Sequence, residues 1–303
     1  MAPLSVLCAL AVAACGSSSS SSSNSSSSSS SSTPATTSSS SASADSAVAA
    51  LVPAWLKYKG TLTVASDASY APNEFIGPDG HTVIGMDADL SKALAAVMGL
   101  KADIVNATFD TIIPGLAAGK YDMGASSFTD TKAREQTVDF VDYFIAGESF
   151  FTKTAGGASI NTINDVCGKT VAVEKGTTEE TDAAAQGKKC KAAGKPGVTV
   201  LSFSDQNGAN LALNSGRAQL GFADSPVAAY QVKQSNGAFK LVGQSYANAP
   251  YGLAVPKGTL AKAVLAALQD LMKNGTYHQI LTKWGLTAGA IPAAQVKING
   301  AVS

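Results

Sequence analysis

Strands alternating with helices over residues 61–286 predict an α/β fold with mostly parallel sheets. Three observations carry that expectation. Short β-rich runs, 61–65 and 170–173 among them, end in polar or glycine-containing turns. Stretches with apolar residues at helical spacing follow, as at Leu90, Leu94 and Val97. A second unit of the same kind begins at Asp165, after a β-rich segment at 149–152. At 303 residues the chain is long enough for two such units.

The N-terminus reads as targeting sequence. Residues 3–14 are apolar and too short to span a bilayer, so 1–14 is expected to be a signal peptide. They end in Val12-Ala13-Ala14-Cys15-Gly16, which resembles the lipobox of bacterial lipoproteins. That resemblance implies cleavage before Cys15 and lipid on its sulfur; bulky Leu7 makes Cys8 the poorer candidate. The usual positively charged start is absent. Residues 15–50 are expected to be a lipid-anchored, disordered tether. Its stretch 17–46 is almost all serine, with threonine, alanine and a lone Pro34, and cannot bury a core. Such a tether reaches roughly 30 Å.

Composition excludes several functions. The 22 basic and 22 acidic residues cancel, and no basic run or aromatic–basic interleaving suggests nucleic acid. His81 and His278 lack metal-ligand spacing, no cysteine cluster resembles a zinc site, and no cofactor motif stands out. No stretch of about twenty apolar residues reads as a transmembrane helix.

In chain order, folded sequence begins near Val48 with an apolar lead-in at 51–56, and 61–65 is strand one. Ligands gather at the C-terminal ends of strands in α/β sheets, so Asp67 and Tyr70 in the loop 66–73 are placed to face one. The same residue types are also ordinary turn formers. Gly77-Pro78-Asp79-Gly80 is a turn. Asp87 or Asp89, the latter above all, is expected to cap a helix over 90–98, ended by Gly99. Residues 102–105 are strand two, Phe109 lies in the loop after it, and a helix covers 111–118. Strand three, 121–124, leads into Ser126, Ser127, Thr129, an Asp130-Thr131 helix start and Arg134. Hydroxyls and backbone N–H groups at a helix start attract an anion, and an arginine adds a bidentate grip on a carboxylate. We read 124–140 as holding the α-carboxylate and α-amino group of a free amino acid.

The second unit repeats the pattern. Strand 170–173 runs into Gly176, Thr177, Thr178 and Glu179 at a helix start, again an anion-binding arrangement. Strand 198–203, helix 206–215 and strand 219–223 follow. Asp224 comes directly after that strand, where it either caps the helix 225–232 or contacts a ligand. A strand at 251–256 and an amphipathic helix at 260–273 come next. The last helix, opened by Gly275 and ended by Gly285, holds Ile280, Leu281 and Trp284 as core. Cys167 and Cys190 both lie in the second unit, and an exported location permits a disulfide. Two free buried thiols, or a catalytic cysteine without a local histidine, are the other readings.

These residues resemble the polar-amino-acid family of bacterial solute-binding proteins, which feed ABC importers. The resemblance covers about 60–286. It rests on Ser66-Asp67-Ala68-Ser69-Tyr70-Ala71-Pro72, Gly85-Met86-Asp87-Ala88-Asp89-Leu90, Ser126-Ser127-Phe128-Thr129 with Arg134, Gly176-Thr177-Thr178, Phe222-Ala223-Asp224 and 275–286, in that order. It implies a two-lobed, periplasmic-binding-protein-like α/β fold: each lobe a mostly parallel sheet flanked by helices, the two joined by two hinge strands and closing like jaws. Lobe one would be 58–147 plus 249–290, lobe two 148–248, and 291–303 a C-terminal tail. It also implies roles. Arg134 and the N–H groups of Thr129 and Thr178 would hold the α-carboxylate. Asp224, Thr129 Oγ1 and the Ser127 carbonyl would hold the α-ammonium, with Tyr70 and Phe109 against the side chain. The implied partners are a free amino acid and the membrane permease of an ABC transporter. The chain itself would be a monomeric, non-enzymatic, lipid-anchored subunit outside the cytoplasm.

Asp67, Asp87, Glu148 and Glu179 are candidates to surround the ligand side chain. Glu179 stands where many relatives carry glutamine, and extra carboxylates favour a basic or polar amino acid. Two other functions fit the same scaffold. One is a periplasmic cyclohexadienyl dehydratase, with Glu179 or Glu148 as general acid, although no carboxylate has a partner at clear catalytic spacing. The other is a ligand-sensing domain, although the chain carries no signalling segment.

Overall fold

The alternation read in the sequence is realised strand by strand in the computed structural model, which describes residues 43–302, all within one compact unit. Two short helices, α1 (Ser46–Leu51) and α2 (Ala54–Lys59), precede β1 (Thr61–Ser66), β2 (Ser69–Tyr70), β3 (Glu74–Ile76) and β4 (Val83–Ile84). Then come α3 (Met86–Val97), β5 (Lys101–Asn106), α4 (Phe109–Ala117), β6 (Met123–Gly124), α5 (Lys132–Glu135) and the long β7 (Val138–Lys153). The second half runs β8 (Thr170–Glu174), α6 (Thr178–Ala192), β9 (Thr199–Phe203), α7 (Gln206–Asn214), β10 (Leu220–Asp224) and α8 (Ser225–Gln234). It ends with β11 (Phe239–Pro256), α9 (Leu260–Lys273) and α10 (Thr276–Trp284).

β1 pairs in parallel with β5 and β6, and β8 with β9 and β10. A helix makes each crossover, as parallel pairing requires. β7 and β11 run antiparallel to each other and join the two parallel groups, in the order β5-β1-β6-β11-β7-β10-β8-β9. The result is two lobes. Leu62, Leu90, Leu94, Leu253 and Leu268 are buried in the core of one. Phe150 and Phe222, stacked at 3.9 Å, anchor the core of the other. β7 serves both, with Val141 and Tyr143 in the first core and Phe150 in the second.

The β7–β11 ladder is irregular where it passes between the lobes. Its register shifts between Val242 and Tyr246 and again before Ala249, and Ala247 adopts a left-handed φ of 54°. Gly147 lies so close to Ser245 and Asn248 that a Cβ would clash with both. Bulged, glycine-containing crossings are where strands bend most readily.

Several expected boundaries are corrected. α3 starts at Met86, with Gly85 rather than an aspartate at the N-cap position. Asp89 sits inside the first turn and instead accepts from Lys283 Nζ at 2.6 Å and Trp284 Nε1 at 2.8 Å, tying α3 to α10. The segments 140–144 and 149–152 are one strand, and 251–256 is only the end of β11. β2, β3 and β4 form a small antiparallel sheet that the expectation lacked. Residues 46–50 are not tether: Asp45 caps α1 by accepting from Val48 N–H at 2.9 Å, and Val48 and Val52 enter the first core. The C-terminal tail after 290 packs on the first core. Ile291 and Val296 are buried, and Asn299 Oδ1 accepts from Phe140 N–H at 2.8 Å. The proposed signal peptide, Cys15 and the rest of the serine-rich stretch to residue 42 lie outside the described residues. Cys167 and Cys190 are disulfide-bonded, their Cα atoms 5.6 Å apart, so the free-thiol readings fall.

Candidate functional site

One wall of the cleft is made by the strand ends of the first lobe. After β1 the chain turns, Ser69 N–H donating to the Asp67 carbonyl at 2.8 Å. The Asp67 carboxylate accepts from Ser69 Oγ at 2.6 Å and from Phe109 N–H at 2.9 Å. Its own N–H donates to Ser126 Oγ at 2.8 Å. Turn formation and cleft lining are therefore both true of Asp67. Ser127, just after β6, holds a left-handed φ of 50° that is unfavourable for a non-glycine residue. Side chains hold it there: its N–H donates to Asp87 Oδ2 at 2.9 Å, its Oγ to Glu74 Oε2 at 3.2 Å, and Asn73 Nδ2 donates to that Oγ at 2.8 Å.

Thr129 bridges β11 opposite Tyr251. The hydrogen bonds of that bridge run from Asp130 N–H to Pro250 O and from Gly252 N–H to Phe128 O, so the ladder does not use the Thr129 N–H. Thr131 caps α5 by accepting from Arg134 N–H at 3.2 Å. The Arg134 guanidinium lies 5.4 and 5.5 Å from the ring centroids of Phe109 and Phe128, which stack on each other at 4.5 Å. It donates to Thr129 O at 2.8 Å and, across the cleft, to Gly176 O at 2.9 Å.

The opposite wall comes from β8, α6 and β10. Glu174 ends β8. Thr177 caps α6, accepting from Glu180 N–H at 3.2 Å and donating to Glu174 O at 2.8 Å. Thr178 is the first residue of that 15-residue helix, and its N–H is one of the four that a helix leaves open. Thr178 Oγ1 lies 3.5 Å from Thr129 Oγ1. Asp224 occupies the cap position of α8 but makes no cap bond. Its carboxylate accepts from Tyr70 Oη at 3.0 Å instead and lines the cleft, so the cap reading falls.

All eleven residues expected to contact a ligand line one cleft, and Glu74 and Glu174 line it too. Neither of those two was expected. Glu174 ends a strand, so the rule that singled out Asp67 would have found it. Glu74 carries no such signal; the β2–β3 hairpin brings it under Ser126 and Ser127. Asp87 and Glu148 do not line the cleft. Asp87 is buried behind Ser127 and accepts from Tyr143 Oη at 2.6 Å. Glu148 is buried in β7, paired opposite Asp224.

Five carboxylates and one guanidinium thus face a single cleft. Burial raises the pKa of Asp67, Glu74, Glu174, Glu179 and Asp224; Arg134 partly offsets this at Glu179 and Asp224. Behind the wall, burial pushes Asp87 up to about 6 and Glu148 to about 9. Open N–H groups and a guanidinium beside carboxylates from both lobes suit a zwitterion with additional positive charge. Among the described residues no cluster of three His, Cys, Asp or Glu could hold a metal ion, and no helix is long and apolar enough to cross a membrane.

Residues 62–287 match the family model of bacterial extracellular solute-binding proteins, family 3. The arginine-binding protein ArgT of Corynebacterium glutamicum is 38% identical over 251 residues, 82% of this chain and 82% of that protein. The ABC transporter glutamine-binding protein GlnH of Bacillus subtilis is 33% identical over 214 residues, 68% of this chain and 74% of that protein. Among solved structures, an ancestral arginine-binding protein bound to arginine aligns with a TM-score of 0.68 at 38% identity, covering 74% of this chain and 98% of that one.

Proposed function

The chain belongs to the bacterial extracellular solute-binding proteins of family 3, and we propose that it is the amino-acid-binding subunit of an ABC importer, selective for a cationic side chain. The observation that carries this reading is the division of the cleft. Arg134 and Thr129 come from one lobe, and Thr178 and Asp224 from the other. Arg134 with the Thr129 and Thr178 N–H groups would take the α-carboxylate. Asp224, Thr129 Oγ1 and the Ser127 carbonyl would take the α-ammonium, while Phe109 and Tyr70 pack on the side chain. Each charged end of the ligand then needs both lobes, so closure gains interactions that the open form lacks. The five carboxylates favour a cationic ligand over the neutral glutamine of one relative.

We place lobe one at 58–147 and 249–290, joined by α1, α2 and residues 291–302, and lobe two at 148–248. Cys15 would carry the lipid that holds the protein near its permease, and the protein would work as a monomeric binder rather than an enzyme. A thermal-shift screen of the twenty common amino acids, followed by calorimetry, tests the reading. Binding of arginine or lysine at one per chain is expected, with glutamine weaker. No binding by any amino acid would overturn it.

A further inference from the structure

We propose that the outer face of α1 and α2, carrying Leu51, Trp55 and Tyr58 beside Lys57, Lys59 and Lys101, is a docking surface for an anionic lipid bilayer and holds lobe one with the cleft turned away from the membrane. This rests on the reading of Cys15 as a lipid anchor and adds the surface on which the anchored protein settles.

Val48, Val52 and Leu56 recur every fourth residue and enter the first core. Leu51, Trp55 and Tyr58 alternate with them and lie outward, 47%, 52% and 96% exposed. Lys57 Nζ donates to Ala50 O at 3.1 Å and joins the two helices across Pro53, so they present one surface. Large apolar side chains exposed together mark a contact surface. Three observations give that surface to a bilayer. The chain enters the fold beside it: Asp45 N–H donates to Val97 O at 3.0 Å, and only the six residues of α1, about 9 Å of helix, lead from there to Leu51. A lipid on Cys15 would lie within the tether's roughly 30 Å reach of that point. The charge is also suited. Lys101 N–H donates to Gly60 O at 3.0 Å, which sets Lys101 beside the end of α2 with Lys57 and Lys59. Asp122 is paired with Lys59 at 2.6 Å, leaving Asp103 on the edge strand β5 against Lys57 and Lys101. Finally, tryptophan, tyrosine and lysine are the residues that settle among headgroups, ring or stem in the apolar layer and polar tip outside it.

The fold then fixes how the docked protein stands. α2 runs through Gly60 into β1, which ends at Ser66 next to Asp67 of the cleft. Six extended residues span about 20 Å. With α2 on the headgroups, β1 carries the cleft about that far from them, open to the medium from which ligand arrives. No cleft residue takes part, so docking and ligand binding are independent. So few apolar and basic side chains give a reversible adsorption, from which the anchored protein is free to leave for its permease.

The full chain with Cys15→Ser, which cannot take the lipid, tests this by its tryptophan emission during titration with vesicles of phosphatidylcholine and phosphatidylglycerol in equal parts. The emission is expected to shift to the blue and to be quenched by brominated acyl chains. Adding Trp55→Phe, which leaves Trp284, should abolish both effects. Leu51→Ser with Tyr58→Ser, or vesicles of phosphatidylcholine alone, should each weaken partitioning at least about tenfold. Both sets of substitutions lie outward and should leave the melting temperature unchanged. Emission that vesicles do not alter, or alter equally in Trp55→Phe, overturns the inference. So does equal partitioning of the Leu51→Ser, Tyr58→Ser variant, or a dimer that this variant makes monomeric, which gives the surface to a second copy. Equal partitioning into phosphatidylcholine alone overturns the choice of an anionic bilayer. The anchor is read separately, by mass spectrometry of the membrane fraction: an unlipidated Cys15 overturns that reading whatever the vesicles show.

Discussion

Tyr70 and Asp224 are hydrogen-bonded to each other twice across the cleft. The Tyr70 hydroxyl donates to Asp224 Oδ2 at 3.0 Å and accepts from the Asp224 N–H at 2.9 Å. Tyr70 stands on the first lobe and Asp224 at the end of β10 on the second, so the pair ties the two lobes together. Tyr70→Phe keeps the ring and removes both bonds. Hydrogen bonds to charged groups contribute about 1.5–3 kcal/mol. The variant should therefore bind amino acid about tenfold to a hundredfold more weakly, with most of the change in the release rate measured by stopped flow.

Arg134 is supported by the stacked Phe109 and Phe128 rings, which remain when its side chain is cut back. Arg134→Ala should lower affinity by at least about a hundredfold, as expected for loss of a charged, bidentate partner. The melting temperature of the ligand-free protein should change little. Arg134→Lys should rescue poorly, since a lysine cannot present the planar fork. Unchanged affinity in the alanine variant would remove Arg134 from the site.

The disulfide joins the turn before β8 to α6 within the second lobe, across a sequence separation of 23 residues. Closing a loop of that length stabilises by about 3 kcal/mol in the chain-entropy model. Replacing Cys167 and Cys190 by alanine should lower unfolding free energy by about that amount in a denaturant titration. Reductant should lower the wild type alike and leave the double variant unchanged.

Asp130 and Asp142 form a second buried carboxylate pair, under residues 297–300 and away from the cleft. Burial and the adjacent Asp130 push Asp142 up to about 8; burial pushes Asp130 up to about 6, with Glu135 raising both and Lys132 and Lys297 opposing. A folded-state pKa above the ordinary aspartate value means that the native state keeps a proton the unfolded chain has lost. Its stability therefore falls as pH rises from about 4 through 8. The melting temperature should drop between pH 5 and pH 9, and Asp142→Asn should flatten that slope. An equal slope in the variant would assign the pH dependence elsewhere.

What the sequence made legible was local. The apolar spacing on α9 located Leu260–Lys273 to the residue, and strand ends followed by Ser, Thr or Asp, together with the family resemblance, pointed to eleven residues that line the cleft. What it hid depends on distant partners. Asp89 looks like a cap until Lys283 and Trp284 fold against it. β2, β3 and β4 are too short to show a period. Val48 in one direction and Ile291 in the other look peripheral until the first core takes them in. Glu74 gains meaning only when the hairpin brings it to Ser127.

The central claim is that both charged ends of a free amino acid are held between the lobes, and capping each end separately tests it most directly. Calorimetry would compare arginine with argininamide, which lacks the carboxylate, and with N-acetylarginine, which lacks the ammonium. Arginine is expected to bind at one per chain, with each capped form at least about a hundredfold weaker. Equal binding of either capped form, or no binding of arginine or any other common amino acid, would contradict it.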